Sequence, residues 1–215
     1  MTDPQIFEPE GRAIPYAVEG HGPAVVLIPA HGLNISYLGA LAHSVAMADF
    51  RVIRIGSRRP SGDRASMDHL AQDVIDVMDH LEIDHAWVGG HAFGGSVART
   101  VAIDHHDRVN GVLLLGVEGT DQATVAEVPS EVRDAEVEHF QRAAWEVPGA
   151  LAEGLPVLVI QGTEDDVTPT ANGVALRDSA PDRVSVVSVD GGGHLFPTTH
   201  MGATSWAIED YLDWD

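Results

Sequence analysis

The sharpest chemical pattern in the chain is Gly89-Gly90-His91-Ala92-Phe93-Gly94-Gly95. It lies between a run that reads as a strand, 86–89, and one that reads as a helix, 93–105. A tight strand-to-helix turn strains its central residue. It also needs small residues two positions to either side, so that the backbones can approach. Gly90 and Gly94 fill those places. The turn lifts the side chain at 92 above the strand ends and against a helix N-terminus, where the dipole favours negative charge. It is a mount for a nucleophile, yet residue 92 is alanine, which cannot attack a carbonyl. With serine there the motif would read G-H-S-F-G-G.

Other clusters carry less. Asp104-His105-His106-Asp107 reads as a solvated helix end rather than a metal site, with histidine favoured near the negative end of the dipole. Asp73, Asp76 and Asp79 fall on one helix face and read as a solvated stripe. Gly191-Gly192-Gly193 lacks the helix and spacing of a dinucleotide loop. Arg54, Arg58, Arg59 and Arg64 form a local basic group whose expected role is pairing with nearby acid.

The elements that must position the motif follow from apolar periodicity. Short continuous apolar runs alternate with amphipathic stretches, the signature of an α/β sheet. Strands are predicted at 5–7, 13–19, 24–29, 51–55, 86–89, 109–117, 155–160 and 184–189. Pro9-Glu10-Gly11 forms the turn of an opening hairpin. Helices are predicted at 36–47, from a Ser66 cap through Leu81, at 93–105 and at 204–212, with Pro169 opening another. Residues 118–154 break the rhythm. This acidic stretch, with a helix near 130–145, reads as a short cap-like insertion within a single domain spanning 1–215.

Composition bounds the partners. The 215 residues suffice for one sizeable core. Thirty-three acidic residues against twelve basic ones, all arginine, give a formal charge of −21. That field repels nucleic acid and anionic membranes. Without lysine there is no Schiff-base chemistry, and without cysteine there is no thiol catalysis or disulfide. No apolar run is long enough to span a bilayer, and residues 1–10 do not read as a signal peptide. A cytoplasmic monomer or homodimer acting on a small molecule, with no cofactor and no metal, is the expectation.

The motifs in order resemble those of the α/β-hydrolase family in its small, nearly cap-free, esterase-like form. They are His31-Gly32, the turn around Ala92, Asp107-Arg108-Val109, Gly162-Thr163-Glu164-Asp165 and Gly192-Gly193-His194. The resemblance covers nearly the whole chain. It implies a mostly parallel, eight-stranded twisted sheet with helices on both faces. It also implies a triad in the order nucleophile, acid, histidine, which here is Ala92, Asp165 and His194. Asp165 is preferred to Asp166 because it lies three residues after Gly162. The histidine would act as base and the acid would fix its tautomer. The backbone N–H groups of Leu33 and Phe93 would hold a developing oxyanion. His31, Asn34, Tyr37, Val117, Glu118, Trp145 and Phe196 are the expected substrate-lining residues. The sequence departs from the family's D-x-R-G-x-G-x-S after the fourth strand, reading Gly56-Ser57-Arg58-Arg59-Pro60-Ser61-Gly62.

Ala92 leaves three readings of the function. The alanine replaces a serine by engineering in an ester, thioester or lactone hydrolase. Alternatively, it belongs to a natural binding protein. Thirdly, Asp165 and His194 act as a cofactor-free dyad on water or on a substrate C–H or O–H. A strained turn costs roughly 1–3 kcal/mol and persists where function requires it. Its retention beside an intact acid and histidine favours the first reading. A haloalkane dehalogenase or epoxide hydrolase would need an acidic side chain at 92.

Overall fold

The computed structural model describes residues 2–59, 65–119 and 128–213. Arg64, one of the four basic-group residues, lies outside them, as do residues 120–127 of the insertion. The strands are β1 (Gln5–Phe7), β2 (Ile14–Glu19), β3 (Ala24–Ile28), β4 (Arg51–Ile55), β5 (Ala86–His91), β6 (Val109–Leu115), β7 (Val157–Gly162) and β8 (Val184–Val189). The helices are α1 (Gly39–Met47), α2 (Met67–His80), α3 (Phe93–Asp104), α4 (Ala135–Ala144), α5 (Thr170–Ser179), α6 (Phe196–Thr199) and α7 (Met201–Leu212).

All eight strands form one sheet in the order β1-β2-β4-β3-β5-β6-β7-β8. β1 and β2, and β2 and β4, pair antiparallel, and the remaining pairs are parallel. A parallel sheet covered on both faces explains why the central strands read as continuous apolar runs. The pleat then sends alternate residues to opposite layers. Val26, Ile28, Val112, Leu114 and Val159 join one core with Leu70 and Val74 of α2 and Val97 and Val101 of α3. Val25, Leu27, Leu113, Leu115 and Ile160 join the other with Leu41 and Val45 of α1 and Ile208 of α7.

Boundaries differ from the sequence reading where local chemistry intervenes. β6 stops at Leu115 rather than 117 because Gly116, at φ 70°, turns the chain away. The helix predicted from 36 begins as a 3₁₀ turn, Ile35–Leu38, capped by the Asn34 side chain on the Ser36 N–H. The insertion helix starts at Ala135 rather than near 130, where Asp134 accepts from the Val137 N–H. Ser66 caps α2 with a reciprocal bond to His69.

The acidic stripe on α2 is corrected. Asp73 is not solvated: it is 2% exposed and binds two arginines from distant segments. Arg12 Nη1 lies 2.7 Å from Oδ1, and Arg58 Nε lies 2.6 Å from Oδ2. Arg12 also reaches Asp76 at 2.7 Å. Arg59 pairs with Asp134, and Arg54 with Glu19. The network pins the loop after β4, and with it the ground on which the insertion rests. Removing one partner of a buried pair leaves the others charged and desolvated. Asp73→Ala is expected to cost about 3–5 kcal/mol in urea unfolding. Asp79→Ala, whose exposed carboxylate holds Arg108, should cost under about 1 kcal/mol.

Candidate active site

Ala92 joins β5 to α3 at φ 48° and ψ −109°, a region that a non-glycine residue seldom adopts. The close approach beneath it explains the glycines. A Cβ on Gly94 would lie 2.1 Å from the Ile28 carbonyl oxygen, and one on Gly90 would lie 2.5 Å from the Gly94 carbonyl carbon. Two bonds brace the strained residue. Its N–H donates to Leu115 O at 2.9 Å, and its carbonyl accepts from the Ser96 N–H at 3.1 Å.

Asp165 follows β7 and is buried, whereas its neighbours Glu164 and Asp166 are exposed. Its Oδ1 accepts from the N–H groups of Val167, 2.9 Å away, and Thr168, 2.8 Å away. Its Oδ2 accepts from the Thr168 hydroxyl. His194, in the loop after β8, brings Nδ1 to 3.1 and 3.0 Å from the two carboxylate oxygens. Burial pushes the Asp165 carboxyl up, but the bonds from His194 and Thr168 outweigh it and hold the group below its ordinary range. A carboxylate facing Nδ1 places the ring proton there and leaves Nε2 as the basic nitrogen.

Ala92, His194, Thr168, Glu118, Trp145, His31 and Leu33 line one cleft. It holds about 60 Å³ of space for the centres of water-sized molecules, several times what one water needs. α4 and the segment after it form the upper wall. There Trp145 stacks on His31 with ring centroids 4.9 Å apart. His31 is held below its ordinary pKa by burial, and its Nε2 is buried without a partner.

Four expected lining residues stand elsewhere. Asn34 caps its 3₁₀ turn and donates to Glu131 O. Tyr37 lies behind the cleft with its hydroxyl 3.1 Å from His91 Nδ1. Phe196 is fully buried against His91. Val117 lines only a small recess beneath Ala92, together with Ser96 and Glu118. His91, packed 4.6 Å from the His194 ring, is kept neutral by burial and by that neighbour.

In one half of the expected oxyanion site the donors meet acceptors within the protein. The Leu33 N–H donates back to Ala30 O at 3.1 Å. On either side, the Gly32 N–H donates to Gln141 Oε1 at 2.7 Å and the Asn34 N–H to Val132 O at 2.9 Å. The loop's donors are taken up by the loop itself, by the segment before α4 and by Gln141 of α4. Phe93 opens α3, so its N–H has no acceptor one turn back in the helix. Gln141 and Thr168 escaped the sequence reading. Only Asp165-x-x-Thr168, a spacing at which a hydroxyl reaches back to an acid, offered a signal.

Residues 23–147 match the family described as alpha/beta hydrolase fold, and residues 136–214 match one described as TAP-like protein. The chain belongs to the alpha/beta hydrolase fold family. Haloalkane dehalogenase 2 of Mycobacterium tuberculosis is 33% identical over 129 residues, 52% of this chain and 43% of that protein. The chain thus matches less than half the length of this curated relative. Among solved structures, a thermophilic esterase from Thermogutta terrifontis superposes with a TM-score of 0.83 at 19% identity, covering 99% of this chain and 98% of that one. The enol-lactonase of Burkholderia xenovorans gives 0.80 at 20% identity, covering 97% and 100%. These likenesses establish the hydrolase fold. No helix among the described residues is long and apolar enough to cross a membrane. No group of three or more potential metal ligands occurs among them.

Glu118 is the carboxyl in this cleft without a cationic partner within 4 Å among the described residues. Burial pushes it up to about 7 from an ordinary 4.5, against the bonds from Ser96 and Trp145. Between those values the unfolded chain loses this proton before the folded chain does. The group therefore subtracts stability as pH rises through the window. Glu118→Gln, which cannot ionise, should gain about 3 kcal/mol over the parent on going from pH 4 to pH 8. Urea unfolding at the two pH values measures it.

Proposed function

We propose that the cleft is the acyl-transfer site of a hydrolase acting on an ester, thioester or lactone of a small molecule, with alanine standing where serine would attack. The observation that supports this is the residue held at φ 48° over the same cleft as a carboxylate-bound histidine. Backbone strain of this kind persists where a function over-determines it. With serine at 92, His194 would take the hydroxyl proton, Asp165 would orient and stabilise the imidazolium, and the Phe93 N–H would meet the oxyanion. The dehalogenase relative does not transfer its substrate class, since residue 92 is not acidic.

One observation favours a second reading. The loop donors of Gly32, Leu33 and Asn34 are all engaged, which weakens the oxyanion half of acyl transfer. It leaves the histidine and acid intact as a dyad acting on water or on a substrate proton.

Ala92→Ser is expected to raise hydrolysis of p-nitrophenyl esters by several orders of magnitude over the chain as it stands. A further His194→Asn or Asp165→Asn change should remove most of the gain. A folded Ala92→Ser protein that releases no nitrophenol across a range of acyl lengths would overturn the reading.

A further inference from the structure

Glu118 is a half-buried carboxyl that the triad does not use. It lines the cleft with Ala92 and His194 and is fixed from two elements. Ser96, one turn into α3, donates its hydroxyl to Oε2 at 2.6 Å, and the Trp145 indole donates to the same oxygen at 3.2 Å. Oε1 takes neither bond. The charged and titratable groups that face Glu118 are His194 from the loop after β8 and Arg99 from α3. Arg99 makes no ion pair with it within 4 Å: its Nη2 is turned to the carbonyl oxygens of Pro148 and Ala150. His194 in turn is tied to Asp165. The cleft therefore carries two proton-handling groups in contrasting settings: a histidine bonded to a carboxylate, and a carboxyl with no ion pair within 4 Å among the described residues. A carboxyl that holds its proton can act as the acid beside a histidine whose free nitrogen acts as the base.

We propose that Glu118 is the proton donor of this cleft and that, with alanine at 92, it works opposite His194 in a direct attack of water on an ester or lactone of an unactivated alcohol. This rests on the reading that the cleft cleaves an acyl–oxygen bond. His194 Nε2 takes a proton from water as the water oxygen bonds to the acyl carbon. The acyl–oxygen bond breaks, its electron pair stays on the leaving oxygen, and that oxygen takes the proton of Glu118. The imidazolium proton then returns to the Glu118 carboxylate through water in the cleft, so no covalent acyl-enzyme forms. The space beside Ala92 admits the water. The raised pKa of Glu118 keeps the donor protonated up to about pH 7.

The leaving group provides the test. A nitrophenolate departs without a proton at neutral pH, whereas an ethoxide requires one. The chain as it stands, Glu118→Gln, His194→Asn and Ala92→Ser are compared on ethyl and p-nitrophenyl butyrate. The proposal expects the parent to cleave the ethyl ester without a burst and without an acyl adduct in the intact mass, and His194→Asn to abolish this. Glu118→Gln should lower the ethyl-ester rate about 100-fold, at least about tenfold more than the p-nitrophenyl rate. The fall in ethyl-ester rate above about pH 7 should vanish in that variant. Equal losses on the two esters, or none, overturn the proposal. So does a parent inactive on both esters while Ala92→Ser releases nitrophenol, a result that leaves the hydrolase reading standing. Inactivity of every form, Ala92→Ser included, overturns both.

Discussion

The close contact between the first turn of α3 and the ends of β3 and β5 is the constraint on which the site depends. Gly94 rests on the Ile28 carbonyl and Gly90 on Gly94, at distances that no Cβ would survive. With the helix seated so low, the chain has only one residue in which to reverse, and Ala92 takes the left-handed backbone that results. Its neighbours are set by the same seating. His91 is driven down into the layer of Tyr37 and Phe196. Phe93 presents a helix-end N–H, and Ser96 arrives one turn later against Glu118. The geometry holds without the hydroxyl, because the bonds that brace residue 92 come from Leu115 and Ser96 through the main chain.

Much of this was legible in the residues. Central strands buried on both faces leave apolar runs, and with the more polar edge strands the eight predicted strands are the eight of the sheet. The family resemblance pointed to Asp165 and His194, and the structure brings those two side chains together. What the sequence withheld was pairing across distance. Periodicity puts Asp73 on a face of α2, but it does not say that Arg12 and Arg58 converge there. Spacing marks the His31-Gly32 loop, but not that a glutamine more than a hundred residues away takes its N–H. Asn34, Tyr37 and Phe196 lie near the right strand ends. Each is recruited instead to cap, brace or fill, because those local demands are met first.

The absence of lysine has a structural counterpart. Several arginines act less as surface charges than as forks that gather backbone carbonyls. Arg183 joins Ala152 and Leu155, Arg108 joins Ile83 and Asp84, and Arg99 joins Pro148 and Ala150. Two of these fasten the end of the insertion and the few residues that lead from it into β7. The few cations in an acidic chain are thus placed where irregular backbone would otherwise lack donors.

Gln141 ties three separate pieces of chain into one mechanical unit. Its carbonyl holds the Gly32 N–H, its amide donates to Ser57, and its backbone belongs to α4. The cap-like helix and the loop beneath it therefore cannot shift independently. A guest bulky enough to prise α4 from the cleft also unlatches Gly32, and a main-chain donor that was sealed becomes exposed beside the guest. Occupancy of the cleft and the polarity of its floor are in this way geared to each other through a single amide.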